Sequence, residues 1–230
     1  CQFGAAVPFS GYLTMSTVNA FPNPMQPFPK RGEPAWDLAM MFPLQGGWSV
    51  EDYLALDTGL LVEYTEGFVR VLPMPNLLHQ LIVKFLFRLL DDFVNERNLG
   101  EVLLAPLPVQ LTPKKYREPD IVFLRPDRIK TLRGQPAGAD LAVEVVSQGE
   151  ENRQRDYVDK RREYAEAGIA EYWIVDPEER KVTVLTLDGG QYREHDVSGA
   201  GGSASSVLLA GFQVAVDDVF AKCDQADAEG

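Results

Sequence analysis

Cysteine and long hydrophobic runs are the features that this sequence most clearly lacks. Cys1 and Cys223 are the two cysteines among 230 residues, and at opposite ends of the chain they form no disulfide or metal-ligand pattern. A reducing, cytoplasmic location is therefore expected. No apolar stretch approaches the ~20 residues that span a membrane, and the first residues lack the basic-then-apolar layout of a signal peptide. We expect no association with a membrane.

Positive charge is also scarce. The chain has 22 lysines and arginines against 34 aspartates and glutamates, which gives a formal net charge of −12. This balance argues against a protein that coats nucleic acid, because such proteins usually carry a broad basic surface. A local exception runs from Thr112 to Gly134, where seven basic residues stand against three acidic ones. This basic segment favours a phosphate-bearing partner, and a solvated loop is the alternative explanation.

Proline divides the chain into regions. Residues 1–47 hold seven of the sixteen prolines, and proline both removes backbone donors and restricts the chain to extended forms. We therefore predict an N-terminal arm over residues 1–47, one folded domain over residues 48–222 and a short tail over residues 223–230. The sequence shows no internal repeat and no second hydrophobic core, so a single domain is expected.

Hydrophobic periodicity predicts a mixed α/β domain. Ser49 begins a capping box for a short helix, and Asn76 precedes the clearest helical pattern, which Gly100 is expected to stop. Glu66 and Gly67 mark a hairpin turn. Strands are predicted in EVLLAPLPVQL, EPDIVFL, LAVEVVS and EYWIVD, with a polar helix between the last two and a second hairpin around DGG. The segment GAGGSASS is predicted to be a flexible link.

An acidic residue interrupts one of these strands. The run from Leu141 to Val146 would pack on both faces of a sheet, yet Glu144 lies in its middle. A buried carboxylate is costly unless it is paired, hydrogen-bonded or bound to a metal. Asp120 begins another strand, and two carboxylates on adjacent strands can share a divalent cation such as Mg²⁺ or Mn²⁺. A buried acid paired with an arginine and a simple strand-start aspartate are the structural alternatives.

The polar helix that follows carries a candidate cation. Asp156, Lys160 and Tyr164 recur every four residues and would share one helix face. A lysine near a phosphate can stabilise the charge that develops there or orient an attacking water. The commoner role for such spacing is a solvated ion pair that contributes only ~0.3–0.5 kcal/mol. Tyr164, Tyr172 and Trp173 are predicted to lie in the core.

The order of these motifs resembles a known family. EYTEG, a histidine early in the long helix, EPDIVF, LAVEVVS, RDYVDKRREYAEAG and EYWIVDP are similar to the motifs of the Uma-two family of restriction-endonuclease-like proteins, in the PD-(D/E)XK nuclease superfamily. The resemblance runs from Ser49 to Leu187. It implies a single α/β restriction-endonuclease-like domain, in which a central mixed sheet is flanked by helices and carries added hairpins.

The resemblance also implies a site. Asp120 would be the acid of the PD element and Glu144 that of the (D/E)XK element, with Glu63 as the upstream acid that borders them. Mg²⁺ or Mn²⁺ would bind Asp120, Glu144 and the backbone carbonyl of Val145. The lysine expected two residues after the second acid is replaced by valine, and the resemblance assigns its catalytic role to Lys160.

The implied function is that of a metal-dependent endonuclease that hydrolyses phosphodiester bonds, with DNA as the expected substrate. His79 would contact the substrate, although a role in capping the helix is equally compatible with its position. Lys114, Lys115 and Arg117 are further candidates for substrate contact. Two alternatives stay open: a catalytically weak protein of this fold that binds nucleic acid or a protein partner, and a hydrolase of smaller phosphorylated substrates. Each is compatible with a homodimer.

Removal of the arm tests the predicted domain boundary. A chain that begins at Gly47 should keep the thermal midpoint of the full chain, because the preceding residues show no hydrophobic periodicity and offer little to bury. Scanning calorimetry of the two chains compares the midpoints. A large drop would mean that the arm packs on the domain or on a partner subunit.

Overall fold

The computed structural model describes residues 42–57, 59–221 and 223. The predicted arm lies outside the described residues as far as position 41, and so does the predicted tail apart from Cys223. Contacts divide the chain into Cys1–Leu44 and Gln45–Gly230, and the fold described below is that of the second unit. None of the helices in the described ranges has the length and apolar character needed to cross a membrane.

A six-stranded mixed sheet forms the centre of the domain. Its strands are β3 (Glu101–Leu104), β6 (Ile121–Leu124), β7 (Leu141–Val145), β8 (Glu171–Asp176), β9 (Lys181–Asp188) and β10 (Gln191–Ser198). They follow the order β10-β9-β8-β7-β6-β3. β7 and β8 run parallel, and the other neighbouring pairs run antiparallel. The predicted central mixed sheet is therefore confirmed.

A second sheet has four strands. Its strands are β1 (Val62–Thr65), β2 (Phe68–Val71), β4 (Val109–Thr112) and β5 (Lys115–Arg117), in the order β2-β1-β5-β4. Glu66 and Gly67 make the predicted turn between β1 and β2, both with positive φ. A Cβ at Gly67 would lie 2.7 Å from the Gly46 carbonyl oxygen, so this turn requires glycine.

The predicted capping box starts the first helix, α1 (Val50–Leu54). The Ser49 side chain accepts from the Asp52 backbone N–H, and the Asp52 side chain accepts from the Ser49 backbone N–H. Tyr53 is the buried residue of this helix, and its ring stacks on that of Tyr64 with 5.3 Å between centroids. The helix is thereby fixed to the four-stranded sheet.

The long predicted helix is α2 (Leu77–Arg97), capped by the side chain of Asn76. Its end differs from the prediction, because Asn98 and not Gly100 takes the left-handed conformation that closes the helix. Gly100 has a different role. A Cβ there would lie 2.0 Å from the Leu124 carbonyl oxygen, so glycine permits the close approach of the chain to β6.

The segment EVLLAPLPVQL contains two strands where one interrupted strand was predicted. β3 lies at an edge of the six-stranded sheet, and β4 lies at an edge of the four-stranded sheet. The two prolines fall in the connection between them, where no ladder donor is needed. The expected edge position is correct for both strands.

Helices cover both faces of the six-stranded sheet. On one face, α2 contributes Ile82, Leu86 and Val94 to a core that includes inward residues of β6, β7 and β8. On the other face lies the predicted polar helix, which consists of α3 (Glu150–Gln154), a π-helical turn (Arg155–Asp159) and α4 (Lys160–Glu166). Tyr164 of α4 is fully buried there, against Tyr172 of β8.

The glycine-rich segment GAGGSASS is not a flexible link as predicted. Its last residues form β11 (Ser203–Ser205), which pairs with β12 (Gln213–Ala215), and α5 (Val216–Phe220) follows. Ala204 is fully buried in the same core as α2. The low hydrophobicity of the segment hid this strand, because a small side chain suffices where two layers approach closely.

A buried glutamate holds the C-terminal segment on the sheet. Glu171, the first residue of β8, has no exposed surface. Its carboxylate accepts from Ser206 Oγ at 2.6 Å and from Trp173 Nε1 at 2.7 Å. It also accepts from the backbone N–H groups of Val207 at 2.8 Å and Leu208 at 2.9 Å. Four donors thus satisfy this acid without a cation.

Glu171→Ala should therefore lower the free energy of unfolding by about 3 kcal/mol or more, because each buried donor left without an acceptor costs roughly 1–3 kcal/mol. Glu171→Gln keeps one acceptor oxygen and should lose less. Urea unfolding measures both, with Glu194→Ala on the exposed side of β10 as the control. Equal stability of Glu171→Ala and the control would contradict this role.

Candidate active site

Lys160 is the centre of the candidate site. Only 1% of the residue is exposed. Its Nζ lies 2.8 Å from Glu144 Oε2, 3.4 Å from Asp156 Oδ1 and 3.6 Å from Glu63 Oε1. Burial alone would lower the pKa of Lys160, but these three carboxylates raise it above its ordinary value, so the ammonium stays charged. The interpretation of Asp156 and Lys160 as a solvated surface pair is therefore wrong.

Four elements converge on this cluster. Glu63 is on β1, Glu144 is on β7, Asp156 lies in the π-helical turn and Lys160 begins α4. Within the turn, the Lys160 N–H donates to the Arg155 carbonyl, five residues back. π-Helical turns are rare and frequently occur at functional sites. Because β1 and β7 belong to different sheets, the cluster joins the two sheets.

Both oxygens of the Glu144 carboxylate have partners. The Tyr164 hydroxyl donates to Oε1 at 2.5 Å, and Lys160 binds Oε2. Burial raises the pKa of Glu144 to about 8; Lys160 acts to lower this pKa, and the charges of Asp120 and Asp156 act to raise it. The acid is thus paired with a lysine, and the predicted alternative of an arginine partner is wrong. Tyr164 is a core residue, as predicted, whose hydroxyl also serves the site.

Asp120 borders the same cluster at the start of β6. Its Oδ2 accepts from the Val145 N–H at 2.7 Å and lies 3.3 Å from His79 Nε2. Both contacts use one oxygen, which leaves Oδ1 for another partner. Burial lowers the pKa of His79, but its hydrogen bond to Asp120 and the charge of that acid raise it above the ordinary value. Asn76 caps the helix, so the His79 side chain is not needed for capping.

A cavity of about 460 Å³ borders these groups. Its charged and ionisable lining residues are His79, Glu118, Asp120, Glu144, Arg155 and Lys160. Glu118 was not predicted as a site residue. It lies two residues before Asp120, and side chains two residues apart in an extended chain point to the same side, so this spacing could have indicated it. Burial and the charge of Glu63 raise the pKa of Glu118 to about 7, against a hydrogen bond from the Val62 N–H.

The donor set at the cavity fits a hard divalent cation. Asp120, Glu144 and the backbone of Val145 offer oxygen ligands, which Mg²⁺ and Mn²⁺ prefer. The surroundings are rich in acid, and the buried Glu63 Oε1 and Asp156 Oδ1 have no hydrogen-bond partner. Within the described ranges, no group of three or more His, Cys, Asp or Glu side chains is arranged to hold a metal. The fit therefore depends on two carboxylates and a backbone carbonyl.

The three basic residues expected to contact substrate do not line this cavity. Arg117 makes two hydrogen bonds of 2.8 Å each to the Glu163 carboxylate. Lys115 Nζ lies 3.2 Å from the same carboxylate, and the exposed Lys114 lies 3.7 Å from Glu66 Oε2. Arg117 and Lys115 thus neutralise an internal acid.

Comparisons with known proteins agree with this fold. The model of the Uma2 family, described as "Putative restriction endonuclease", matches residues 50–217. Among solved structures, a "putative nuclease belonging to DUF820" from Anabaena variabilis matches with a TM-score of 0.61 and 20% sequence identity, over 78% of this chain and 98% of that chain. A comparison with curated proteins gave no match. At this identity the structural likeness establishes the fold, and the predicted restriction-endonuclease-like domain is confirmed.

Replacement of Lys160 by methionine should lower the free energy of unfolding by roughly 3–5 kcal/mol near neutral pH, because Glu63, Glu144 and Asp156 would stay buried and lose their shared cation. Urea unfolding followed by circular dichroism measures the change. Lys114→Met, at an exposed lysine, is the control and should change the stability by less than ~0.5 kcal/mol.

Combining Lys160→Met with Glu144→Gln should cost less than the sum of the two single changes, because the second change removes an acid that the first leaves unpaired. Additive effects, or a Lys160→Met chain as stable as the original, would contradict the buried cluster.

Proposed function

This chain belongs to the Uma2 family, and on that premise we propose that it is a metal-dependent endonuclease that hydrolyses phosphodiester bonds in DNA. The observation that carries the proposal is the buried pair of Lys160 and Glu144 beside Asp120, at the edge of a cavity of about 460 Å³. The description of the family and that of the Anabaena protein, a "putative nuclease", support the same class of reaction.

Asp120, Glu144 and the carbonyl oxygen of Val145 would hold Mg²⁺ or Mn²⁺. When bound, such a cation polarises a phosphoryl group and lowers the pKa of a bound water. The acids of the site favour a cation for an electrostatic reason: besides the effect of burial, Asp120 and Asp156 repel the Glu144 carboxylate and raise its pKa. A second positive charge beside Lys160 would relieve that repulsion.

Lys160 supplies the fixed positive charge of the proposed site. Three carboxylates keep its ammonium protonated and hold it in one position, so little reorganisation is needed when negative charge develops on the phosphate. The same ammonium could donate a hydrogen bond that orients the attacking water. Glu63 and Asp156 act through Lys160 and are therefore positioning residues.

The proposed reaction forms a bond between a water oxygen and phosphorus and breaks the bond from phosphorus to one ester oxygen. The water releases one proton to solvent, and the departing oxygen takes one from solvent. Tyr164 fixes Glu144 through its hydroxyl, and His79 holds Asp120 while it lines the cavity. His79 would thus meet the substrate next to the reacting phosphate.

A catalytically weak protein of the same fold, which binds nucleic acid or a protein partner, is the second candidate. Two observations favour it. The described residues contain no group of three or more metal-ligating side chains, and Lys160 already contacts Glu144 at 2.8 Å. A hydrolase of smaller phosphodiesters is a variant of the first proposal that differs only in substrate.

Asp120→Asn and Glu144→Gln should each weaken Mn²⁺ binding at least tenfold in calorimetry, because each change removes an anionic ligand. Each should also lower the rate of DNA cleavage in Mg²⁺ or Mn²⁺ by at least ~10², the scale of losing one preorganised group of an active site. Asp127→Asn, at an exposed acid on the short turn after β6, is the matched control.

The thermal midpoint of each variant shows whether the fold is retained. Assays with DNA, RNA and a small phosphodiester identify the substrate class. A wild-type chain that binds Mn²⁺ and cleaves none of the three would favour the second candidate, and unchanged Mn²⁺ affinity in both site variants would overturn the shared metal site.

A further inference from the structure

Arg155 is a cationic residue of the cavity whose Nε has no hydrogen-bond partner in the described part of the chain. Its side chain is 12% exposed, and it lines the cavity with Asp120, Glu144 and Lys160. Among the described residues, its one ion-pair contact is to Asp156, with 3.5 Å between Nε and Oδ1. The Nε atom is buried and has no hydrogen-bond partner. A buried N–H without an acceptor is costly, so this arrangement needs an explanation.

The well-buried Arg117 and the more exposed Arg153 are both paired closely. Arg117 donates two hydrogen bonds of 2.8 Å to Glu163, and Arg153 lies 2.6 Å from Asp176 Oδ2. Arg155 is about as buried as Arg117, whose side chain is 10% exposed. Burial by itself therefore does not prevent good pairing in this chain. The looser pairing of Arg155 is therefore a local property of the cavity.

The π-helical turn accounts for the position of Arg155. The bond from the Lys160 N–H to the Arg155 carbonyl makes a turn of five residues, one more than in an α-helix. Arg155 and Lys160 are therefore on the same side of the helix, one turn apart, and both side chains line the same cavity. Lys160 lies 2.8 Å from one acid and within 3.6 Å of two others, whereas the one ion-pair contact of Arg155 among the described residues is the 3.5 Å approach to Asp156.

We propose that Arg155 binds the non-bridging oxygens of the substrate phosphodiester. The inference rests on the proposed function and deepens it by naming the residue that holds the substrate. A guanidinium is a planar fork of donors that matches two phosphate oxygens, which a lysine ammonium does not. The phosphate would supply acceptors to the guanidinium in addition to the long Asp156 contact, and Lys160 would then act on the same group. The two cations would then have different roles. Arg155 would bind the substrate phosphate, and Lys160 would orient the attacking water or stabilise the negative charge that develops on the phosphate.

DNA binding without cleavage tests this assignment. The probe is a fluorescein-labelled duplex in Ca²⁺, followed by anisotropy at several salt concentrations. Arg155→Ala should weaken binding roughly ten- to a hundredfold, the effect of losing a hydrogen bond to a charged group. The slope of log K against log salt should become shallower by about 0.9, the value for one phosphate contact on a duplex. In cleavage assays, KM should rise more than kcat falls.

Two further variants make the result specific. Arg155→Lys keeps the charge and loses the fork, so its salt slope should match the wild type while its affinity stays reduced. This variant also preserves the charge balance of the site and serves where Arg155→Ala fails to fold. Arg161→Ala is the matched control on the same helix, since Arg161 contacts the Tyr192 carbonyl and lies 4.0 Å from Glu194, away from the cavity.

Unchanged affinity and salt slope in Arg155→Ala, with a wild type that binds and cleaves DNA, would overturn the role of Arg155 and leave the proposed function standing. A wild type that neither binds nor cleaves DNA would overturn both. Equal losses of DNA affinity in Arg155→Ala and Arg161→Ala would mean that the effect comes from the change in net charge, and would also overturn the assignment.

Discussion

The Lys160 ammonium and the carboxylates around it fix the geometry on which the rest of the domain depends. Oxygens from β1, β7 and the π-helical turn lie within 3.6 Å of its Nζ. A buried charge that has neither an opposite charge nor enough hydrogen bonds is strongly unfavourable, so these acids and Lys160 depend on one another. The relative position of the two sheets is thus tied to the charges proposed to act on substrate. Stability and the proposed catalysis cannot be varied independently at Lys160.

Two buried glutamates on neighbouring strands show what distinguishes a structural acid from a candidate functional one. Glu171 on β8 accepts four hydrogen bonds and is satisfied within the protein. Burial, together with the acids around it, raises the pKa of Glu144 on β7 to about 8. The oxygens left without hydrogen bonds belong to its neighbours Glu63 and Asp156. The first arrangement supplies a donor to every acceptor, whereas the second leaves buried acceptors without a hydrogen bond.

The sequence predicted the helices and strands, and the positions of Asp120 and Glu144, better than it predicted which charged side chains contact one another. Periodicity located α2, and a charged residue in an apolar strand identified Glu144, because both signals are local. The burial of Lys160 could not be read from local spacing, since an exposed pair and a buried one share the same i, i+4 pattern; the resemblance alone pointed to its role. The partner of Arg117 is 46 residues away in sequence, and only the fold brings Glu163 to it. The strand Ser203–Ser205 was missed because its small polar residues carry no hydrophobic signal.

An acidic protein that acts on a polyanion must concentrate its positive charge where the substrate binds. The net charge of −12 offers no general attraction to nucleic acid, and in the basic segment Lys115, Arg117 and Arg128 pair with internal acids. Affinity would then depend on the few charges at the cavity: a bound cation, Lys160 and Arg155. Such a site makes few phosphate contacts, so nonspecific binding along a duplex would be weak. Selectivity for the reacting phosphate would follow from geometry at one point, and the surplus of acid elsewhere would discourage binding in any other orientation.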